Sequence, residues 1–139
     1  MAKINKYQLV AAAKKARRRA VAPYSRFQVG AALLTAKGEI ITGANVESVS
    51  YGLTCCAERV ALFKALTDGH RNFMAVAVVT GAPNGSAPCG ACRQLLREYA
   101  PDAVVYMASA GEPRNIREAR VTDLLPGAFM KIENSEKQD

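Results

Sequence analysis

The sequence predicts an α/β fold in which helices cover both faces of a sheet. Patterns typical of helices and strands alternate along most of the 139 residues, an order that favours a sheet between helix layers. Residues 73–80 (FMAVAVVT) form an almost unbroken apolar run, as expected of a strand buried on both faces. Half of the residues are hydrophobic, which is enough for one sizeable core. We expect a single domain over residues 1–139, with a frayed polar tail at residues 133–139.

Composition and turn residues define each element. Good helix formers fill residues 7–21 until Pro23 ends the helix. The loosely alternating residues 27–35 and the Ile- and Thr-rich residues 39–46 flank a Lys-Gly turn, which predicts a β-hairpin. A Gly- and Pro-rich loop follows the buried strand, and Pro101 ends the helix after it. The predicted order is helix 7–21, strands 27–35 and 39–46, helix 56–66, strand 73–80, helix 89–99, strands 103–107 and 115–120, and a short helix 121–125.

The formal net charge of +7 comes from one end of the chain. Residues 1–38 carry nine Lys or Arg and no acid, whereas residues 39–139 carry ten basic and twelve acidic residues. A basic stretch can bind polyanions by counterion release, but a solvated helix face explains it more simply, so nucleic acid is not an expected partner. No apolar run approaches the ~18 residues of a membrane span, and no export signal is recognisable, which predicts a cytoplasmic protein with no membrane partner.

The four cysteines, Cys55, Cys56, Cys89 and Cys92, form two tight clusters, each where a loop passes into a predicted helix. Such clusters suit metal or redox chemistry better than a disulfide framework. Cys89 and Cys92 are three residues apart, so a helical turn places both thiols on one face. Three thiolates from two helix N-termini match a Zn²⁺ site with one position left for water, as in catalytic zinc sites.

Two other interpretations of the cysteines stay open from the residues alone. A lone C-x-x-C in an α/β protein can be a redox pair, although here an eight-residue loop separates it from the strand. A structural zinc would need a fourth ligand, which Cys55 or His70 could supply. Adjacent residues such as Cys55 and Cys56 rarely direct both side chains at one ion, and His70 fits a surface turn equally well. Three ligands and an open position are favoured.

Glu58 lies two residues after Cys56, near the start of the predicted helix. A carboxylate beside a zinc-bound water can accept its proton and pass it on, which is general acid–base catalysis. A glutamate in the first turn of a helix can also simply interact with the helix dipole. The combination of C-A-E with P-C-G-A-C favours the catalytic interpretation.

These strings resemble the zinc-dependent nucleoside and nucleobase deaminases, and most closely the small cytidine deaminases that act on free nucleosides. The resemblance runs from about Tyr7 to Phe129. It rests on residues 23–32 (PYSRFQVGAA), 45–47 (NVE), 51–54 (YGLT), 56–59 (CAER), 88–94 (PCGACRQ) and 124–129 (LLPGAF). Cys55 is a departure, because family members commonly have another residue there; a small buried side chain is its expected role.

The resemblance implies a three-layer α/β/α fold with a five-stranded mixed sheet, and a homotetramer with shared active sites. It implies hydrolytic deamination of cytidine and deoxycytidine to uridine and deoxyuridine in pyrimidine salvage, by attack of a zinc-bound hydroxide on C4. It also assigns roles by similarity: Cys56, Cys89 and Cys92 hold one Zn²⁺ per subunit, Glu58 shuttles protons, Arg59 hydrogen-bonds the thiolates, Asn45 and Glu47 hold the ribose 3′-hydroxyl, Phe27 packs on the base, Tyr51 lies near the sugar, and Phe129 reaches a neighbouring site.

Three rival functions remain at this point. A deaminase of a cytosine-containing antibiotic such as blasticidin S would share the zinc motifs, but the N-V-E and F-x-V-G-A-A segments favour a nucleoside. An RNA- or DNA-editing deaminase needs a groove for flanking nucleotides, and the chain has little sequence beyond the minimal core. A catalytically inactive zinc-binding module would have no need for a carboxylate beside the zinc, so the presence of Glu58 argues against it.

Overall fold

A computed structural model describes residues 3–130, so the expected frayed tail at residues 133–139 lies outside the described part of the chain. The helices are α1 (Lys6–Arg17), α2 (Ala57–Thr67), α3 (Gly90–Tyr99) and α4 (Val121–Leu124), with a 3₁₀ turn at Tyr51–Leu53. The strands are β1 (Gly30–Thr35), β2 (Ile40–Ala44), β3 (Phe73–Thr80), β4 (Val104–Ser109) and β5 (Glu112–Arg120). Within the described range, no helix is both long and apolar enough to cross a lipid bilayer.

The five strands form one mixed sheet in the order β2-β1-β3-β4-β5. Only β3 and β4 pair in parallel, and the other three pairs are antiparallel. On one face, α1 packs Leu9, Val10 and Ala13 into a core with the sheet. On the other face, α2, α3 and α4 share a second core with β1, β3 and β4. The three-layer α/β/α architecture with a five-stranded mixed sheet is therefore confirmed.

Long-range contacts explain two of the predicted boundaries that are wrong. Helix α1 ends at Arg17 rather than at residue 21, because Val21 instead bridges to Val46. Strand β1 begins at Gly30 rather than at residue 27, because the Asn45 amide binds the preceding backbone: Val29 N donates to Asn45 Oδ1 (2.9 Å) and Asn45 Nδ2 donates to the Phe27 carbonyl (2.8 Å). Pairing across 16 to 18 positions is invisible to local composition.

The edge strand β5 is longer than predicted, beginning at Glu112 rather than at residue 115. Most of its side chains are exposed, so hydrophobicity gives little signal for it. Its first pair, Ser109 with Glu112, closes a tight turn at the end of β4. Backbone pairing with β4, rather than burial of an apolar face, therefore defines the start of this strand.

The sheet brings three chain segments to one edge. Gly30 pairs with both Ala44 and Val79, so the residues just beyond these partners, Asn45 and Thr80, lie close to the start of β1. Gly43 lets α2 approach the same edge, because a Cβ there would lie 2.6 Å from the Ala57 carbonyl oxygen and from the Ala61 nitrogen. The N-terminus of α2 is thereby packed beside the strand ends, where α/β sheets commonly bind ligands.

Candidate metal centre

Three cysteine thiols meet at the N-termini of α2 and α3. Cys56 is the residue before α2, Cys89 is the residue before α3, and Cys92 lies in the first turn of α3. Neither Cys56 nor Cys89 uses its side chain to cap its helix, so both thiols can serve another partner. The three Sγ atoms lie within 4.8 Å of one another, and those of Cys56 and Cys89 are 3.7 Å apart.

The sulfur spacing fits a zinc ion. Tetrahedral Zn²⁺ with Zn–S bonds of about 2.3 Å places its sulfur ligands about 3.8 Å apart. Within residues 3–130, this is the one group of three or more His, Cys, Asp or Glu ligand atoms that lie so close together. Cys55 stands outside it, half-buried, with its backbone paired to Val46. His70 instead contacts Glu39, with 3.1 Å between Nε2 and Oε2.

The thiols are electrostatically distinct. Hydrogen bonds from Cys92, Arg59 and Cys89 lower the pKa of Cys56 to about 5, against the opposing effect of burial. The pKa of Cys92 is raised, because it donates its proton to Cys56 and is itself buried. Burial also raises the pKa of Cys55. The Arg59 contact and the N-terminus of α2 therefore both favour the thiolate form of Cys56.

Glu58 is buried in the first turn of α2, with 5 % of its surface exposed. Burial raises the pKa of its carboxyl to about 7, and the nearby charge of Cys56 acts in the same direction. A hydrogen bond from the Glu58 backbone N–H and the charge of Arg59 oppose this rise. A carboxyl with a pKa near neutrality can both accept and donate a proton, which is what general acid–base catalysis requires.

Arg59 brings a positive charge to the thiol cluster. Its Nη2 lies 3.3 Å from Cys56 Sγ and 3.4 Å from the Thr54 carbonyl oxygen. The contact with Cys56 raises the pKa of Arg59 further above its usual range. Its Nε is buried with no hydrogen-bond partner among the described residues. The side chain is therefore directed inward at the cluster, and is not the surface helix residue that its position alone would suggest.

A cavity of about 210 Å³ connects the thiol cluster to the sheet edge. It is small beside the roughly 300–1,000 Å³ pockets of drug-sized ligands, which suits a small molecule. Of the residues singled out from the sequence, it brings together Phe27, Asn45, Glu47, Cys56, Glu58 and Cys89. Apolar and polar groups thus converge in one space that ends at the thiols.

Further lining residues were not singled out from the sequence: Ser25, Thr54, Thr80 and Ser86. Ser25 binds Glu47 twice, through its Oγ and through its backbone N–H (3.0 Å to Oε1), and these bonds lower the pKa of Glu47. Ser25 lies within the P-Y-S-R-F string, which could have indicated it. Thr80 ends the buried strand β3 and carries no signal of its own in the sequence.

The structure does not bring Tyr51 and Phe129 into this cavity. Tyr51 is 83 % exposed and lines an adjoining groove of about 400 Å³, which shares Ser25 and Glu47 with the cavity. Phe129 is 68 % exposed, and its carbonyl oxygen accepts a hydrogen bond from Gln94 Nε2 (2.7 Å). Both rings are therefore available to another molecule rather than to the cavity of their own chain.

Comparison with known sequences decides the family. The family model described as the cytidine and deoxycytidylate deaminase zinc-binding region matches residues 3–108. The chain belongs to this family. It is a zinc-dependent deaminase, and the thiol cluster is consistent with one zinc ion.

Individual members of the family resemble this deaminase over most of its length. A cytidine deaminase from Halalkalibacterium halodurans is 50% identical over 127 residues, which cover 91% of this chain and 95% of that protein. The crystal structure of cytidine deaminase from Burkholderia pseudomallei is 47% identical, covers 91% of this chain and 100% of its own, and superposes with a TM-score of 0.86. A blasticidin-S deaminase from Bacillus cereus is 30% identical over 110 residues, covering 73% and 76% of the two chains.

Proposed function

We propose that this deaminase hydrolyses cytidine and deoxycytidine to uridine and deoxyuridine with release of ammonia. The observation that carries the proposal is the position of Glu58, a buried carboxyl that lines the same cavity as Cys56 and Cys89. Cys56, Cys89 and Cys92 hold the zinc in this proposal, in agreement with their sulfur spacing. A zinc ion bound there lowers the pKa of a coordinated water and so supplies the attacking nucleophile.

Glu58 moves the protons that the reaction requires. Its carboxylate accepts a proton from the attacking water and donates it to N3 of the cytosine ring. Attack at C4 forms the new C–O bond. Glu58 then takes the proton of the new C4 hydroxyl and passes it to the departing amino group as the C4–N4 bond breaks. The products are ammonia and a uracil ring whose O4 comes from water, so atoms and charges balance. Burial of Glu58 supports this role, because it brings the pKa toward neutrality.

Phe27, Asn45 and Glu47 bind the nucleoside in this proposal. Phe27 lines the cavity and packs on the base. The Asn45 amide uses one donor and one acceptor on the Phe27 and Val29 backbone, which leaves a second donor and a second lone pair for a ribose hydroxyl. Glu47 is held in its ionised form by Ser25 and can accept a hydrogen bond from the same sugar. Tyr51 borders the sugar from the adjoining groove.

The charge of the cavity favours an uncharged nucleoside over a nucleotide. Glu47 and Glu58 both line it, and none of the described residues lining it is Lys, Arg or His. A phosphate group would therefore meet carboxylates and no positive partner, which disfavours its desolvation.

A substrate panel tests this proposal. The purified protein is incubated with cytidine, deoxycytidine, cytidine monophosphate, single-stranded DNA and RNA, and blasticidin S, and loss of the cytosine chromophore is followed. We expect both nucleosides to be consumed, with kcat/KM at least about a hundredfold above that for the monophosphate, since a buried unpaired charge is costly. Preferential turnover of blasticidin S or of a polynucleotide would instead establish one of the rival functions.

Arg59→Ala is expected to lower kcat by about 10–100-fold while most of the zinc is retained, because it removes a positive charge bound to a ligand without removing a ligand. Arg97→Ala, in the last turn of α3 and without a contact to the cluster, is the matched control. Steady-state kinetics and metal analysis of the two variants test the assignment. Unchanged turnover in Arg59→Ala would remove Arg59 from the site.

We also propose a cytoplasmic homotetramer that serves pyrimidine salvage and whose subunits share active sites. Large apolar side chains that are exposed on the single chain support an assembly, since solvent-exposed apolar surface commonly marks interfaces; they include Val49, Tyr51, Leu53 and Phe129. Phe129 reaches a neighbouring site in this arrangement. A monomer in sedimentation experiments, with full activity, would contradict it.

A further inference from the structure

A second concave site lies on the face of the sheet that α1 covers, between α1 and the start of β5. It is a groove of about 480 Å³ lined by Tyr7, Ala11, Lys14, Lys15, Arg18, Pro113 and Arg114. Lys14 and Lys15 lie in the last turn of α1, Arg18 is the residue that follows the helix, and Arg114 lies on the facing edge strand. No residue of the catalytic cavity lines this groove, so the two sites are separate.

The four cations of this groove have no acidic partner in the described part of the chain. Within residues 3–130, Lys14, Lys15, Arg18 and Arg114 make no salt bridge and no side-chain hydrogen bond. No acidic side chain lines the groove. Lys14 and the C-cap residue Arg18 are four residues apart at the end of α1, a spacing at which like charges repel. The arrangement is electrostatically unfavourable until a negative charge enters.

Arg114 is held in place by an aromatic ring. Its Cζ lies 4.4 Å from the centroid of the Tyr7 ring, and Lys6 Nζ lies 5.6 Å from the same centroid. Stacking of a guanidinium on an aromatic face fixes its plane and leaves its N–H groups free for an anion. The N–H donors of the Arg114 guanidinium are therefore held in a fixed orientation, facing Lys14, Lys15 and Arg18 across the groove.

We infer that this groove binds a compact polyphosphate, such as the phosphate chain of a nucleoside triphosphate or free tripolyphosphate. Four unpaired cations surround a volume within the range of small-molecule sites. A single nucleic acid strand would instead need an extended basic path and open aromatic faces on which bases stack. Here the one lining ring, Tyr7, already contacts Arg114 and Lys6.

Calorimetric titration of the zinc-loaded protein with sodium tripolyphosphate tests this inference. Adenosine triphosphate and a single-stranded oligonucleotide are titrated in parallel, at about 50 and 200 mM salt. The groove variant is Lys15→Glu/Arg18→Glu. The matched control, Lys37→Glu/Arg120→Glu, makes the same change in net charge at exposed positions outside the groove. Heat from chelation of zinc by polyphosphate is common to both variants.

We expect tripolyphosphate to bind at low salt, more weakly at high salt, and at least roughly tenfold more weakly to the groove variant than to the control. Equal binding of adenosine triphosphate assigns recognition to the phosphate chain, whichever molecule carries it. Absence of binding, or equal losses in the two variants, would overturn the inference. Much tighter binding of the oligonucleotide would overturn it in favour of a nucleic acid surface. If the double variant does not fold, Arg114→Gln provides the test, with a several-fold loss expected.

Discussion

Replacement of Glu58 by glutamine is expected to lower kcat for cytidine by about 100–10,000-fold, the usual effect of losing a general acid–base group. Glutamine keeps the size of the side chain, but it cannot take a proton from water or deliver one to N3. Because Glu58 is not one of the three thiols, zinc content should stay at the level of the unmodified protein. Steady-state kinetics together with metal analysis measure both effects.

Glu112→Gln is the matched control for this experiment. Glu112 lies at the exposed start of β5 and does not line the cavity, and the substitution removes the same single charge. We expect its turnover to be unchanged. If Glu58→Gln retained more than a tenth of the activity, with zinc bound, Glu58 would not be the proton shuttle and another group would have to move the protons.

Replacement of Cys56 by serine is expected to release most of the zinc. Activity should fall by more than the roughly 10–100-fold that is typical of losing a residue that only hydrogen-bonds a metal ligand. Cys56 Sγ lies 3.7 Å from Cys89 Sγ and accepts a hydrogen bond from Arg59 Nη2. Its loss therefore removes both a zinc ligand and the group through which Arg59 acts. Metal analysis after gel filtration, followed by assay with and without added zinc, gives the two readouts.

The adjacent Cys55 provides a stringent control, because Cys55→Ser is the same chemical change one residue away. Cys55 is half-buried, lies outside the thiol cluster and pairs its backbone with Val46. We expect Cys55→Ser to keep its zinc and its turnover. Loss of zinc from Cys55→Ser with retention in Cys56→Ser would reverse the ligand assignment between these neighbours.

The sequence predicted the parts of the fold that depend on local patterns. The apolar run at Phe73–Thr80 is the buried central strand, and the two cysteine clusters lie at helix N-termini as their positions indicated. Both features can be recognised from neighbouring residues: the strand from its hydrophobicity, and the cysteine cluster from the three-residue spacing of Cys89 and Cys92. The α/β/α architecture follows from the alternation of such elements.

The parts that were not predictable depend on contacts between distant positions. The residues near Arg17 carry no helix-ending signal such as Gly or Pro. The end of α1 is instead set by the pairing of Val21 with Val46. The Asn45 amide holds the backbone at Phe27 and Val29, a structural role in addition to the sugar contact expected of it. Thr80 reaches the cavity only because β3 ends beside β1.

Two expected site residues, Tyr51 and Phe129, can be assigned a role only together with a second molecule. Both side chains are largely exposed and outside the cavity of their own chain. Their proposed roles require either a bound nucleoside in the adjoining groove or a neighbouring subunit. The sequence of one chain shows these rings, but the partners that we propose for them lie on another molecule.

The most direct test of the central claim measures zinc content and cytidine turnover on one preparation of the protein. We expect one zinc per chain, formation of uridine and ammonia in equal amounts, loss of turnover when a chelator removes the metal, and recovery when Zn²⁺ is restored. Zinc-loaded, folded protein that leaves both cytidine and deoxycytidine unchanged would contradict the proposed function.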